Sequence, residues 1–228
     1  MCYDKEYYAR KEYNYAKRYA VRPEEVEKLK EQLSKIIPTY YVSGFSHPVA
    51  PVITNENPDD IQAMSWGLIP SWCKDSSSAV KLSNQCLNAR GETIFTKPAF
   101  KAAAMKRRCL ITCVDGFFEY YHSNGKTYPH FIKLKNGEPM TFAGLWERWS
   151  NREEGIVRDT YTIVTTQANG LMTKIHNNPK RENGDSRMPV ILSQEDERKW
   201  PIPIEGKADK ELIESLIRPF PDDQMEAY

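Results

Sequence analysis

The strongest β-strand signal in the chain is the run CLITCVDGFFEYYHSNGKTYPHFIKLKNGEPMTFAGL, which extends from Cys109 to Leu145. Short segments rich in β-branched and aromatic residues are typical of strands that have one buried face. Three glycine-containing turn signals divide the run, namely Asp115-Gly116, HSNGK and Asn136-Gly137. Dipeptides of this kind favour the tight turns of antiparallel hairpins. The sequence therefore predicts an antiparallel meander at the centre of the fold.

Further elements are predicted on both sides of this meander. The predicted strands are 49–54, 61–69, 160–166 and 188–192. The predicted helices are 23–38, 98–108 with Thr96 as the N-cap, 168–176, 194–200 and 208–217. No Pro/Gly/Ser-rich linker divides the chain. We therefore expect one α+β domain over 1–228, with a curved, mostly antiparallel, barrel-like sheet, peripheral helices and an acidic helical C-terminal extension at 193–228.

The charge balance argues against binding nucleic acid through a polybasic tail, because 32 Lys and Arg residues face 31 Asp and Glu residues. The charges are nevertheless unevenly distributed. Residues 74–135 contain 11 basic and 4 acidic residues, whereas residues 194–228 contain 5 basic and 10 acidic residues. The middle of the chain is thus able to carry an anion-binding groove that the C-terminal segment offsets.

Composition also narrows the class of protein. No apolar run approaches the roughly 18 residues of a membrane helix, and the charged, aromatic N-terminus lacks the apolar core of a secretory signal. The five cysteines are scattered without a CxxC pair, which favours reduced thiols in a cytosolic protein. No His and Cys residues have zinc-finger spacing. We expect no metal, no cofactor and no membrane partner.

Cys2 is the first candidate for chemistry. Removal of Met1 would leave an α-amine and a thiol on adjacent carbons, and both groups are nucleophilic near neutral pH. An aldehyde condenses with such an aminothiol to an imine, which the sulfur then closes into a thiazolidine ring. The alternatives are N-terminal-nucleophile amide hydrolysis and an ordinary residue without a chemical role.

Two further candidates are Glu119 and His176. Alternation along the predicted strand puts Glu119 on the same face as Phe117, where apolar surroundings would suit a general acid or base. The alternative is a solvent-facing strand glutamate. His176 ends a short predicted helix, either as a proton shuttle or as a partner of the helix dipole.

Aromatic and basic residues point to single-stranded nucleic acid. Trp66 and Trp72 lie near the two ends of the segment SWGLIPSW, and the basic segment 74–135 follows them. Bases stack on aromatic rings while cations meet phosphates in single-strand binding proteins, although core packing is the commoner role of a tryptophan. In NAR, Asn88 is able to hold an amine and Arg90 a phosphate.

These segments together resemble the SOS response-associated peptidase (SRAP) family. The resemblance rests on the order Met-Cys, WGLIPSW, NARGET, RRCLITCVDGFFEYY, TFAGLWERW, IVTTQAN…IH and RMPVIL, and is clearest over 2–192. It implies the β-rich SRAP fold and covalent capture of abasic sites in single-stranded DNA through a thiazolidine. A monomer that acts in the bacterial cytoplasm, at the nucleoid during repair, is expected.

The resemblance also assigns roles to individual residues. It implies that Cys2 is the nucleophile, that Asn88 holds its amine, and that Glu119 and His176 are catalytic. For DNA it implies phosphate contacts at Arg90 and Arg187, base packing at Trp72, and a site lined by Pro48 and Thr165.

This chain departs from the family pattern in three places. Tyr3-Asp4 stands where the family has Gly-Arg, and Tyr120 replaces a tryptophan. Ten residues separate His176 from Arg187, which are usually two positions apart. Two rival functions remain open: a cysteine peptidase that acts on other proteins, and a non-covalent single-stranded DNA-binding module.

Overall fold

The computed structural model describes residues 4–7, 24, 27–28, 31–32, 39–178 and 185–228. The strands are β1 (Asp4–Tyr7), β2 (Thr39–Ser43), β3 (Val49–Thr54), β4 (Gln62–Trp66), β5 (Asn88–Arg90), β6 (Arg108–Ser123), β7 (Lys126–Leu134), β8 (Met140–Asn151), β9 (Ile156–Gln167), β10 (Arg187–Pro189) and β11 (Met225–Ala227). The helices are α1 (Ser76–Gln85), α2 (Lys101–Lys106), α3 (Gly170–Ile175), α4 (Gln194–Lys199) and α5 (Lys207–Ser215). Within the predicted helix 23–38, the residues that are described at 24, 27–28 and 31–32 are helical.

Five strands close into a mixed barrel in the order β9-β4-β3-β6-β8 and back to β9. The β4–β9 pair is parallel and the other four pairs are antiparallel. The remaining strands extend this barrel: β1 pairs with β6 and β2, β7 with β6 and β11, and both β5 and β10 with β9. The expected α+β fold with a curved, barrel-like sheet and peripheral helices is confirmed.

The predicted hairpin turn at Asp115-Gly116 is wrong, because β6 runs through it without a break. The first part of β6 pairs inside the barrel with β3 and β8, and the second part leaves the barrel to pair with β7 and β1. Gly116 is required there for a close approach, since an added Cβ would lie 2.3 Å from the Phe131 ring. The turn in HSNGK is confirmed, with Asn124 and Gly125 at positive φ.

Two helices differ from the sequence-based expectation. Helix α2 begins at Lys101 after Phe100, so Thr96 is not its N-cap; the Thr96 hydroxyl donates to the carbonyl of Thr93 in the preceding turns. Helix α1 was not predicted. Its signal is Asp75, whose side chain accepts a hydrogen bond from the backbone N–H of Ser78 at 2.8 Å, as an N-cap does.

Alternation along the strands separates the two larger of the three apolar clusters in the described part of the core. On β3, Val52 belongs to the cluster that contains Trp66, and Ile53 belongs to the cluster beneath helices α2 and α5. The fully buried Arg108 joins the start of β6 to α2 and to the segment that follows α4, because its guanidinium donates to four backbone carbonyls, those of Ala104, Met105, Trp200 and Ile202. Burial lowers the pKa of Arg108 to about 10. Within the described ranges, no helix has the length and apolar character to cross a membrane.

Candidate active site

A buried pair of ionisable side chains lies at the centre of the site. Strand β6 carries Glu119 on the same face as the fully buried Phe117, and His176 follows the C-terminus of α3. The Nε2 atom of His176 lies 3.0 Å from Oε2 of Glu119. The two predicted catalytic side chains, 57 positions apart in the chain, are thus in direct contact.

The backbone of Arg187 holds the other side of the imidazole ring. Nδ1 of His176 lies 2.8 Å from the carbonyl oxygen of Arg187 and 3.2 Å from its N–H nitrogen. A neutral ring accepts from this N–H at Nδ1 and donates from Nε2 to Glu119. A charged ring still donates from Nε2 to Glu119, but its Nδ1 donates to the Arg187 carbonyl. Because a partner is present for either form, His176 is well placed to take up and release a proton.

Asn177 attaches this segment to β6. Its side-chain oxygen accepts from the backbone N–H of His122 at 2.7 Å, and its side-chain nitrogen donates to the carbonyl of His122 at 2.9 Å. The hydroxyl of Ser186 donates to the carbonyl of His176 at 2.7 Å. The sequence contained no specific signal for Asn177, since an asparagine after a short helix is ordinary.

Asn88 and Arg90 lie at the two ends of β5, with their side chains on the same face and the buried Ala89 on the other. Strand β5 pairs with β9, where Arg90 lies opposite Thr165. The Thr165 side chain is fully buried, and its hydroxyl donates to the carbonyl of Ala89 at 3.4 Å. Thr165 therefore supports the site from beneath and has no exposed surface of its own.

Both candidate phosphate-binding arginines are ion-paired. The buried Arg187 makes two hydrogen bonds to Glu92, at 3.0 and 2.8 Å, and a third to the carbonyl of Thr165 at 2.9 Å. Arg90 is about half exposed, and its Nη2 lies 2.6 Å from Oδ2 of Asp185. We call Arg90, Glu92, Asp185 and Arg187 the arginine–carboxylate cluster.

Charge within this cluster acts on Glu92. Partial burial raises the pKa of Glu92, but the hydrogen bonds and positive charge of Arg187, together with the charge of Arg90, outweigh this effect. The pKa of Glu92 consequently lies below its ordinary value. Glu92 stays ionised at neutral pH and holds the Arg187 guanidinium in place.

The two tryptophans have different environments. Trp66 is fully buried, stacks on Tyr161 with a centroid distance of 6.3 Å, and donates from Nε1 to the carbonyl of Leu87 at 2.8 Å. The prediction that Trp66 binds DNA is wrong, because neither ring face is accessible to a base. Trp72 is 53% exposed, and its Nε1 donates to the carbonyl of Pro98 at 3.3 Å.

The remaining predicted residues are at the edges of this arrangement. Pro48 is half buried at the entrance to β3, and its carbonyl accepts from the backbone N–H of Trp66. Cys2 lies outside the described residues. Strand β1 begins two positions later, and Asp4 pairs with Phe118, the residue that precedes Glu119. Among the described residues, no group of three or more His, Cys, Asp or Glu side chains is arranged to hold a metal ion.

Fold, site and sequence define one class of protein. The family model "SOS response associated peptidase (SRAP)" matches residues 1–228, and the chain belongs to this family. It is 38% identical to the abasic site processing protein YoqW of Bacillus subtilis over 192 residues. This aligned region covers 84% of this chain and 78% of YoqW. It is 30% identical over 158 residues to the abasic site processing protein HMCES of Xenopus tropicalis, over 61% of this chain and 44% of HMCES.

Solved structures resemble this one over nearly their full length. A protein from Bacteroides thetaiotaomicron, at 35% identity, superimposes with a TM-score of 0.83 over 100% of this chain and 91% of its own. A protein from Bordetella bronchiseptica, at 22% identity, superimposes with a TM-score of 0.74 over 99% and 98%. The second likeness concerns the fold alone.

Proposed function

We propose that the protein recognises abasic sites in single-stranded DNA and binds them covalently through Cys2 after Met1 has been removed. The observation that carries this proposal is the buried His176–Glu119 contact, beside the strand that leads from Cys2. Two residues of extended chain span at most about 7 Å, so covalent geometry keeps Cys2 close to Asp4 and hence to this part of β6. The family and the names of its relatives agree with this function.

The proposed reaction forms two bonds to one carbon. The α-amine of Cys2 adds to the C1′ aldehyde of the ring-opened abasic sugar, and the resulting carbinolamine loses water to give an imine. The thiol then adds to the same carbon and its proton passes to nitrogen, which closes a thiazolidine. One water leaves for each adduct, and no oxidant or reductant is required.

Each site residue has a part in these steps. The partly buried amide of Asn88 orients the α-amine from the face of β5 opposite Ala89. His176 protonates the sugar oxygen as the sugar ring opens, and Glu119 takes the proton from the adding nitrogen and returns it to the leaving hydroxyl. An undamaged nucleotide has no aldehyde, so the chemistry itself discriminates against intact DNA.

We propose that the same groups release Met1. The Cys2 thiol attacks the Met1 carbonyl, which transfers the acyl group from nitrogen to sulfur, and water then hydrolyses the thioester to free methionine. This step supplies the α-amine that capture requires. It also accounts for a peptidase-type reaction without a second protein as substrate.

The test begins with the intact mass of the purified protein, which should lack one methionine. The processed protein is then mixed with single-stranded DNA that contains one abasic site, and the adduct is counted after denaturation. Wild type and the matched Cys86→Ala variant should form the adduct. Cys2→Ala lacks the thiol that both releases Met1 and closes the ring, so it should retain Met1 and form no adduct that survives denaturation.

Three results would refute or redirect the proposal. A stable adduct with Cys2→Ala would exclude the thiazolidine. Steady turnover of an unrelated peptide by wild type would favour a general cysteine peptidase. Salt-sensitive DNA binding that is indifferent to the abasic site would favour a non-covalent binding module.

A further inference from the structure

The arginine–carboxylate cluster is electrically balanced before any DNA arrives. Two guanidinium groups face two carboxylates, with Arg187 paired to Glu92 and Arg90 paired to Asp185. Non-specific binding of DNA depends mainly on uncompensated cations that meet phosphates. The two arginines expected to contact the DNA backbone therefore contribute less attraction than their number suggests.

Asp185 occupies the position in which a phosphate would neutralise Arg90. Its Oδ2 lies 2.6 Å from Nη2 of Arg90, and its Oδ1 lies 3.6 Å from Nη1 of Arg187. One carboxylate thus presents two oxygens to two guanidinium groups, as a phosphate does when two arginines bind it.

Exposure distinguishes the two ion pairs. The Arg187 side chain is 3% exposed and makes two further hydrogen bonds, to the hydroxyl and the carbonyl of Thr165, so its pair with Glu92 belongs to the framework. The side chains of Arg90 and Asp185 are 52% and 29% exposed, so a DNA phosphate is able to reach Arg90 and displace Asp185. An exposed pair of this kind contributes little stability and exchanges readily.

We propose that Asp185 is a specificity-determining residue, whose carboxylate stands in for a DNA phosphate at Arg90 and weakens reversible binding of undamaged single strands. This inference rests on the proposed function. Intact DNA binds only by charge and stacking, so the free energy needed to displace Asp185 from Arg90 directly lowers its affinity. Abasic DNA meets the same competition, but formation of the covalent adduct makes up for it. Asp185 therefore shifts the balance from non-specific binding towards capture.

The test compares Asp185→Asn with Asp159→Asn. Asp159 forms a similar ion pair with Arg148, at 2.7 Å and with exposures of 27% and 63%, on the β8–β9 hairpin outside the site. Both substitutions raise the net charge by one, so the pair separates local from overall electrostatics. The measurement is the affinity for an undamaged oligonucleotide over a range of salt, together with its ability to inhibit adduct formation on an abasic strand.

Asp185→Asn should bind undamaged DNA about two- to fivefold more tightly than wild type. The slope of log affinity against log salt should steepen by about 0.7, the value for one more fully neutralised phosphate. Undamaged DNA should also inhibit capture more strongly. Asp159→Asn should match wild type in both measurements.

The failures are distinguishable. Equal tightening by both variants, or no tightening by Asp185→Asn while wild type binds DNA, would overturn the role of Asp185 and leave the proposed function standing. Absence of DNA binding and of adduct in all three proteins would overturn both.

Discussion

The side chain of Asn177 hydrogen-bonds both the N–H and the C=O of His122, as the backbone of a neighbouring strand would. Strand β7 occupies the other edge of β6 at this position. Glu119 lies three positions before His122 on β6. The contact of Asn177 with His122 therefore also fixes the distance between Glu119 and His176, the residue before Asn177. This amide also fixes the start of the ten-residue segment that separates His176 from Arg187.

The first prediction concerns this anchor. Asn177→Ala removes two hydrogen bonds that hold His176, and we expect the rate of adduct formation to fall by about tenfold, with about 1–2 kcal/mol lost in the free energy of unfolding. Single-turnover kinetics on an abasic oligonucleotide and thermal unfolding provide the measurements. Asn84→Ala, which removes an amide on the exposed face of α1, is the control and should leave the rate unchanged. An unaltered rate in Asn177→Ala would exclude a positioning role.

The second prediction separates proton transfer from packing. Glu119→Gln preserves the size of the side chain and leaves an oxygen for the Nε2–H of His176, but it is unable to accept a proton. We expect the adduct rate to fall by about 10²-fold or more while the protein stays folded. Glu119→Ala should also destabilise the protein by about 1–3 kcal/mol, since it leaves the buried imidazole without its partner. A Glu119→Gln rate within twofold of wild type would remove Glu119 from the reaction.

The general architecture was predictable because hydrophobic pattern and turn residues report local structure. The Asp115-Gly116 error shows the limit of this inference. Glycine serves a hairpin turn and a close approach to an aromatic ring equally well, and only the neighbouring Phe131 shows which applies here. Barrel closure likewise depends on the parallel pairing of β4 with β9, which no local pattern encodes.

Individual site residues were predictable only where they belong to a recognisable sequence motif. Trp66 and Trp72 have the same chemistry in WGLIPSW, yet the first ends a strand whose inner face is buried, and the second lies in the turn that the Cys73 N–H closes on the Pro70 carbonyl. Asp185 and Asn177 belong to no motif. Their roles depend on contacts with Arg90 and His122 that are 95 and 55 positions away in the chain, respectively, and sequence spacing does not reveal such contacts.

The third prediction follows from the exposed ring of Trp72. Trp72→Ala should weaken binding of single-stranded DNA by about tenfold or more, because a stacked base contributes about 1–3 kcal/mol. Trp72→Phe should recover most of this affinity, since it restores a ring face without the indole N–H that contacts Pro98. Tyr228→Ala, at another exposed aromatic residue outside the site, should bind as wild type does. Equal affinities for Trp72→Ala and wild type would show that this ring does not contact DNA.

The fourth prediction concerns alkaline stability and the thiol of Cys86, next to the Leu87 carbonyl that holds Trp66. Burial raises the pKa of Cys86 to about 11. An unfolded chain ionises this thiol near pH 8.5, so folding is favoured by the full effect below that pH and loses it as pH rises towards 11. The loss amounts to roughly 3 kcal/mol by pH 11. Urea unfolding of wild type and Cys86→Ala at pH 7 and at steps up to pH 10.5 measures it. The difference in unfolding free energy between the two proteins should shrink as pH rises, since only wild type carries this thiol, whereas a constant difference would mean that Cys86 ionises alike in the folded and unfolded chains.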